Sequence, residues 1–133
     1  MIVIDASALA AYILREEGYP EIKEHLRFKT ASLELAAKET VNAIYFAYRR
    51  RRINEEQACR ALEALTHILD KAIQLFDQKH LLSNAFKVSI KHAITIYDAL
   101  YIALAKELQA RLLTRDYKQA KAAKEEGIEV ILI

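Results

Sequence analysis

The sequence predicts an α/β domain in which a central, mostly parallel sheet of about five strands is covered by helices on both faces, giving three layers. Short apolar runs of strand length alternate along the chain with longer segments of helical periodicity, the pattern of βαβ units. Two Gly and one Pro among 133 residues leave little material for the tight turns of an all-β fold. A composition of 53% apolar and 29% charged residues is that of a globular chain. The length fits one domain, residues 1–133, able to bury about two-thirds of its unfolded surface.

Residues 2–5 open the chain as a strand, because Ile2-Val3-Ile4 is continuous, apolar and β-branched and stops at Asp5. Helical patterning follows over 7–15, and Gly18-Tyr19-Pro20 interrupts it before a second short helix over roughly 20–28. A brief strand lies near Thr30-Ala31-Ser32, ahead of a long helix from Leu33 to about Arg50. Asn54 with Gln57 three residues on is a capping-box signature, opening a helix over 55–69. Ala72 to Phe76 is strand-like, and 79–92 is helical. Thr95 and Asp98 hold the Ser/Thr-x-x-acid spacing that starts another helix. Leu112-Leu113-Thr114 reads as a strand, 117–126 as a helix with Gly127 as its C-cap, and Glu129 to Ile133 as the last strand. The chain has no repeat, low-complexity segment or linker.

A net charge of +2 is too mild to announce nucleic-acid binding by bulk electrostatics. The single Cys59 excludes an internal disulfide framework and suits a reducing compartment. No run approaches the roughly 18 uninterrupted apolar residues of a membrane span. The N-terminus starts on strand-like residues without a basic region and cleavage site, so a cytoplasmic protein is expected.

Within this frame four carboxylates stand out. In open parallel sheets ligands bind outside the carboxyl ends of the strands. Asp5 lies at such an end, and Asp116 lies two residues past Thr114 at another. Glu39 shares a helical row with Leu35, Ala43 and Phe46, and Asp98 shares one with Ile102 and Ala105. A carboxylate in an apolar row costs desolvation unless a metal ion or a solvent-open site compensates. Each acid also has a plainer role: Asp5 and Asp116 as N-caps, Asp98 as the acid of a capping box, and Glu39 on a solvated stripe. Three acids at element ends beside apolar strands, with a fourth in an apolar row, are harder to dismiss together.

The residues around them resemble a known family. Ile2-Val3-Ile4-Asp5-Ala6-Ser7-Ala8-Leu9 resembles the opening hydrophobic-Asp-x-Ser signature of PIN domains. Glu39-Thr40-Val41-Asn42-Ala43-Ile44 is similar to their internal Glu-x-x-Asn segment. Tyr97-Asp98-Ala99-Leu100-Tyr101-Ile102-Ala103-Leu104-Ala105 is similar to their most recognisable motif, and Leu112-Leu113-Thr114-Arg115-Asp116 to the last. Order and intervals fit over essentially the whole chain, and the small size resembles the toxin halves of VapBC toxin–antitoxin pairs.

The resemblance implies a PIN-like fold and metal-dependent endoribonuclease activity on RNA. It assigns catalysis and metal binding to Asp5, Glu39, Asp98 and Asp116, with Ser7 and Thr114 bracing the site. Hard oxygen ligands without His or Cys favour Mg²⁺ or Mn²⁺, as one or two ions. A small antitoxin protein is the implied partner, and the apolar helices of the N-terminal half offer a homodimer surface or a groove for an antitoxin segment. The alternative is a PIN-fold module that binds RNA or protein with little hydrolysis. Two details differ from the family pattern or leave a choice. Gln109 stands where a Gly often precedes the last strand, affecting a helix cap. Glu34 lies near Glu39, though off its row.

Arg49-Arg50-Arg51-Arg52 reads either as a solvated helix C-terminus, where cations complement the macrodipole, or as a phosphate contact for RNA. His25, His67, His80 and His92 are scattered without ligand spacing. Helical spacing of Tyr45, Tyr48, Tyr97 and Tyr101 favours core or dimer packing over base stacking, and Cys59 is expected to pack. A phosphatase would want Asp-x-Asp after the first strand, but position 7 is Ser. A receiver domain would want adjacent acids there and a late catalytic Lys, neither of which is evident.

Overall fold

Ile2, Val3 and Ile4 are fully buried, as a strand covered on both faces requires. The computed structural model describes every residue from Met1 to Ile133. Its strands are β1 (Ile2–Ile4), β2 (Thr30–Leu33), β3 (Ile73–Phe76), β4 (Arg111–Thr114) and β5 (Val130–Leu132). The helices are α1 (Ala6–Ile13), α2 (Tyr19–His25), α3 (Glu34–Arg49), α4 (Glu55–Lys71), α5 (Leu82–His92), α6 (Ile96–Leu108) and α7 (Tyr117–Glu125), with a 3₁₀ turn at Lys79–Leu81.

All five strands are parallel, in the order β3-β2-β1-β4-β5. Ile2 lies opposite both Thr30 and Arg111, and Ile4 opposite Leu113. The chain winds outward from β1 through β2 and β3, then returns to the other side of β1 for β4 and β5. Right-handed crossovers send helices to opposite faces when the winding direction reverses. Accordingly α1, α3 and α4 pack together in one layer, and α5, α6 and α7 in the other. The reversal falls between β1 and β4, a topological switch point whose carboxyl edge is the expected ligand crevice.

Helix α6 is buried continuously from Ala99 to Ala105, packed under β1, β2 and β4. That matches the Asp98–Ile102–Ala105 row read from sequence, since Ile102 and Ala105 are both wholly buried. In α3 the row containing Glu39 is not the core-facing one. The buried row is Ala36, Thr40, Ile44 and Ala47, which places Glu39 at the boundary of the layer, half-buried. A helix apolar nearly all round does not declare its inward row by periodicity.

Boundaries shift for local reasons. The first strand stops at Ile4 because Asp5 is already the N-cap of α1. Gly18 adopts φ +89 ahead of α2, and a Cβ there would run into the Ile133 side chain. The segment 79–92 divides into the 3₁₀ turn and α5. Glu126 is the C-cap of α7 and Gly127 follows it with φ +81. Gln109 takes φ +51 as the C-cap of α6, a left-handed conformation that Gly adopts at lower cost. The Asn54–Gln57 capping box forms with both bonds, at 2.8 and 2.9 Å. Cys59 does not pack into the core: it is exposed, beside a shallow apolar groove between α3 and α4 with Val41, Tyr45, Tyr48 and Leu62. Of the four tyrosines singled out, only Tyr101 is buried. No helix is long and apolar enough to cross a membrane.

At the end of α5, His92 is wedged between two carboxylates. Its Nδ1 lies 3.0 Å from Glu125 and its Nε2 2.8 Å from Glu126. Lys91 and Lys106 reach Glu126 as well, at 3.1 and 3.4 Å. The hydrogen bond to His92, reinforced by Lys91 and Lys106, holds the Glu126 carboxyl down at about 2. This brace ties α5, α6 and the end of α7 into one layer.

Candidate active site

The carboxyl ends of β1 and β4 are laced together by side chains. Asp5 is the N-cap of α1, its Oδ1 accepting the Ala8 N–H at 2.9 Å. The Ser7 hydroxyl donates to the same carboxylate, 2.8 Å from Oδ1 and 2.9 Å from Oδ2. Thr114, the last residue of β4, faces Asp5 Oδ2 at 2.6 Å. Backbone N–H groups fix both hydroxyls: Arg115 donates to Ser7 at 3.0 Å, and Asp116 to Thr114 at 2.9 Å. Asp116 caps α7 through the Gln119 N–H at 3.0 Å. The capping reading of Asp5 and Asp116 is therefore correct, yet it leaves the second oxygen of Asp116 open toward the crevice.

Asp98 behaves differently. Thr95 caps α6 by accepting the Asp98 N–H at 3.2 Å, but the reciprocal half of the capping box does not form. The Asp98 carboxylate stands half-buried beside Asp116, with the Thr95 side chain as its hydrogen-bond partner and Lys118 as the nearest opposing charge, so it keeps an oxygen open. From the opposite helical layer, Glu39 Oε1 accepts the Tyr101 hydroxyl at 2.7 Å. Tyr101 lies three residues after Asp98, on the same side of α6, so α3 and α6 meet past the end of the sheet. Burial and the adjacent Glu39 push the Tyr101 hydroxyl pKa upward, so it stays a donor. Glu34 is exposed, outside this contact.

The acids are electrostatically uncomfortable. Burial pushes the Asp5 carboxyl up to about 6 against the hydrogen bonds from Thr114, Ala8 and Ser7, with the Asp98 charge adding to the rise. Glu39 is raised by burial and by Asp98, with the Tyr101 bond opposing. Asp98 is raised by burial and then by Asp116. Carboxylates that repel one another in a half-buried crevice call for a cation, and an all-oxygen donor set suits a hard divalent one. The side chains do not converge into a ready ligand cage. Mg²⁺ commonly retains several waters and takes one or two carboxylates, which the open oxygens of Asp98 and Asp116 can supply.

Three residues here have partners that the sequence alone did not assign. Tyr101 was expected to pack, and its hydroxyl proves to be the partner of Glu39. Arg115 has a weak ion pair to Glu16 at 4.0 Å. Gln119 is wholly buried: its Oε1 lies 2.7 Å from the Thr114 hydroxyl, whose single proton it shares with Asp5 Oδ2, and its Nε2 donates to the Asp98 carbonyl at 3.1 Å. The only local signal was its position three residues after Asp116.

A family profile described as PIN domain matches residues 2–125. The chain belongs to the PIN domain family. Ribonuclease VapC3 of Pyrobaculum aerophilum is 34% identical to this PIN chain over 122 residues, which cover 90% of it and 92% of the relative. Among solved structures, the Pyrobaculum aerophilum protein PAE2754 matches with a TM-score of 0.74 and 26% identity, over 97% of this chain and 82% of the other. VapC20 of Mycobacterium tuberculosis, a sarcin–ricin loop cleaving toxin, matches in fold with a TM-score of 0.69 and 18% identity, over 92% and 95%. The three-layer PIN architecture with five parallel strands is thus the fold of this chain. Metal dependence is general among PIN ribonucleases.

Proposed function

We propose that this chain is an endoribonuclease that hydrolyses RNA phosphodiester bonds with Mg²⁺ or Mn²⁺, and that it is the toxin of a toxin–antitoxin pair. One observation supports the reading: Asp98 lies close enough to Asp5, Glu39 and Asp116, each from a different element, for their charges to act on one another beside the sheet's switch point. The likeness to Ribonuclease VapC3 supports it. When bound, one or two ions supply a water of lowered pKa and charge stabilisation on the phosphoryl oxygens. Asp98 and Asp116 offer open oxygens to hold them. Asp5, anchored by Ser7 and Thr114, keeps one lone pair free, because the single Ser7 proton serves only one of its two oxygens. Glu39, steadied by Tyr101, keeps its second oxygen to orient the attacking water. Displacement is in line. Chelation with EDTA should reduce cleavage of a structured RNA by roughly 10³-fold or more, with recovery on adding Mn²⁺. Cleavage that persists in chelator would defeat the assignment, and binding without any cleavage would leave a PIN-fold binding module.

The arginine run connects to this edge. Arg52 reaches Glu16 at 3.3 Å, and Glu16 also faces Arg115, which stands between Thr114 and Asp116. We assign Arg52 and Arg115 to the RNA phosphates approaching the acids. Replacing both with Gln should lower the slope of log affinity against log salt by about 2. An unchanged slope returns Arg52 to a solvated helix end and Arg115 to its weak pairing with Glu16. The exposed Val41, Tyr45, Tyr48 and Leu62 on α3 and α4 suit a homodimer contact or an antitoxin segment. Residues 1–133 are taken as a single PIN-like unit, working in the cytoplasm.

A further inference from the structure

Gln119 repeats a pattern found earlier in the chain and uses it differently. Asn54-x-x-Gln57 and Asp116-x-x-Gln119 both place Gln at the third position of a helix behind a capping residue. In α4 the Gln57 side chain reaches back to the Asn54 N–H and closes the box. In α7 that return bond is absent, because the Asp116 N–H is already taken by the Thr114 hydroxyl. The freed amide turns inward and is wholly buried.

Its orientation is dictated by its neighbours. Nε2 donates to the Asp98 main-chain carbonyl at 3.1 Å. The flipped amide would set two acceptor oxygens against each other. Oε1 therefore faces the Thr114 hydroxyl, at 2.7 Å, and Thr114 in turn lies 2.6 Å from Asp5. Through its own N–H the same residue holds Asp116 Oδ1 at 3.0 Å. One side chain and its backbone thus connect the first turn of α6, the end of β4 and the N-terminus of α7. Three of the four acids are tied to Gln119, either directly or through Thr114.

We propose that Gln119 is a positioning residue that sets the spacing of Asp98, Asp116 and Asp5 for holding the metal ion. It rests on the acid-cluster reading above. Such outer partners of metal-binding carboxylates typically govern affinity and turnover by roughly 10–100-fold.

The test is Gln119→Met, which keeps length and removes both amide bonds, with Gln119→Leu beside it in the full chain. Mn²⁺ alone is titrated calorimetrically, RNA cleavage is resolved into kcat and KM, and thermal unfolding is followed. Mn²⁺ affinity and kcat should each fall roughly 10–100-fold, with KM unchanged because no RNA contact is removed. Folded variants with wild-type Mn²⁺ affinity and kcat overturn the proposal. So does loss of the fold in both variants, which would make Gln119 structural. Asp98→Asn is measured in parallel. If it also retains Mn²⁺ binding and cleavage, the acid-cluster reading itself has failed. If it loses both while Gln119→Met does not, only the role of Gln119 falls.

Discussion

Replacing Asp98 with Asn is expected to reduce RNA cleavage by roughly 10³-fold while making the metal-free protein more stable. The two effects share one origin. Burial and the neighbouring Asp116 raise the Asp98 carboxyl above its ordinary value. A raised carboxyl favours the protonated form in the folded state. The stability it contributes is full below the ordinary value of 3.8 and is lost as pH rises through the raised one. Near pH 7.5 the ionised group works against folding, and Asn removes that repulsion without altering shape. The midpoint of thermal unfolding should rise by about 2–4 °C. Mn²⁺ should raise the midpoint of the wild type by binding the folded state and leave that of the variant nearly unmoved. Asp5 follows the same sign, its contribution being lost between 3.8 and about 6. Wild-type cleavage by Asp98→Asn, or a variant less stable than its parent at pH 7.5, contradicts this account.

Replacing Glu126 with Gln is expected to cost about 2–3 kcal/mol of stability at neutral pH without touching the acid edge. Its side chain is 9% exposed, and that of His92 is 5% exposed, so water screens their contact poorly. The carboxyl is depressed from 4.5 to about 2. A depressed carboxyl contributes stability that is present above 4.5 and lost as pH falls through about 2. Urea unfolding of both proteins across pH should show a constant difference above 4.5 that shrinks toward pH 2. Equal stability at neutral pH would mean that the brace between α5, α6 and α7 contributes nothing. Cleavage by the variant below its unfolding temperature should stay near the wild-type level.

The elements that position the site were legible because their signal is local. Ile2-Val3-Ile4 and Leu112-Leu113-Thr114 read as central strands from continuous apolar character, and both are buried in the sheet. Asp5 and Asp116 followed from their place at strand ends. Glu39 was harder: its helix is apolar nearly all round, and the row chosen for it was not the core-facing one. The motif, and the place of Glu34 off its row, separated it from Glu34. Tyr101, Gln119 and His92 were read as packing, left unremarked or left scattered. The reason is physical. A tyrosine hydroxyl 62 residues from its carboxylate, or an imidazole 34 residues from its own, leaves no trace in helical periodicity. Such partners exist only once both helical layers are docked.

The placement of β1 beside β4 has a consequence for how the chain comes to life during synthesis. Asp5 and its Thr114 partner are 109 residues apart in sequence, and the intervening chain builds β2 and β3 on the far side of β1. At about 5–20 residues per second, the ribosome takes roughly 5–20 s to make Thr114 after Asp5. During that interval β1 has no β4 neighbour, Asp5 lacks Thr114, and Asp98 has no Asp116 beside it. A nascent chain therefore cannot assemble the four-acid edge until α7 begins to form, so whatever that edge does is withheld until synthesis is nearly complete.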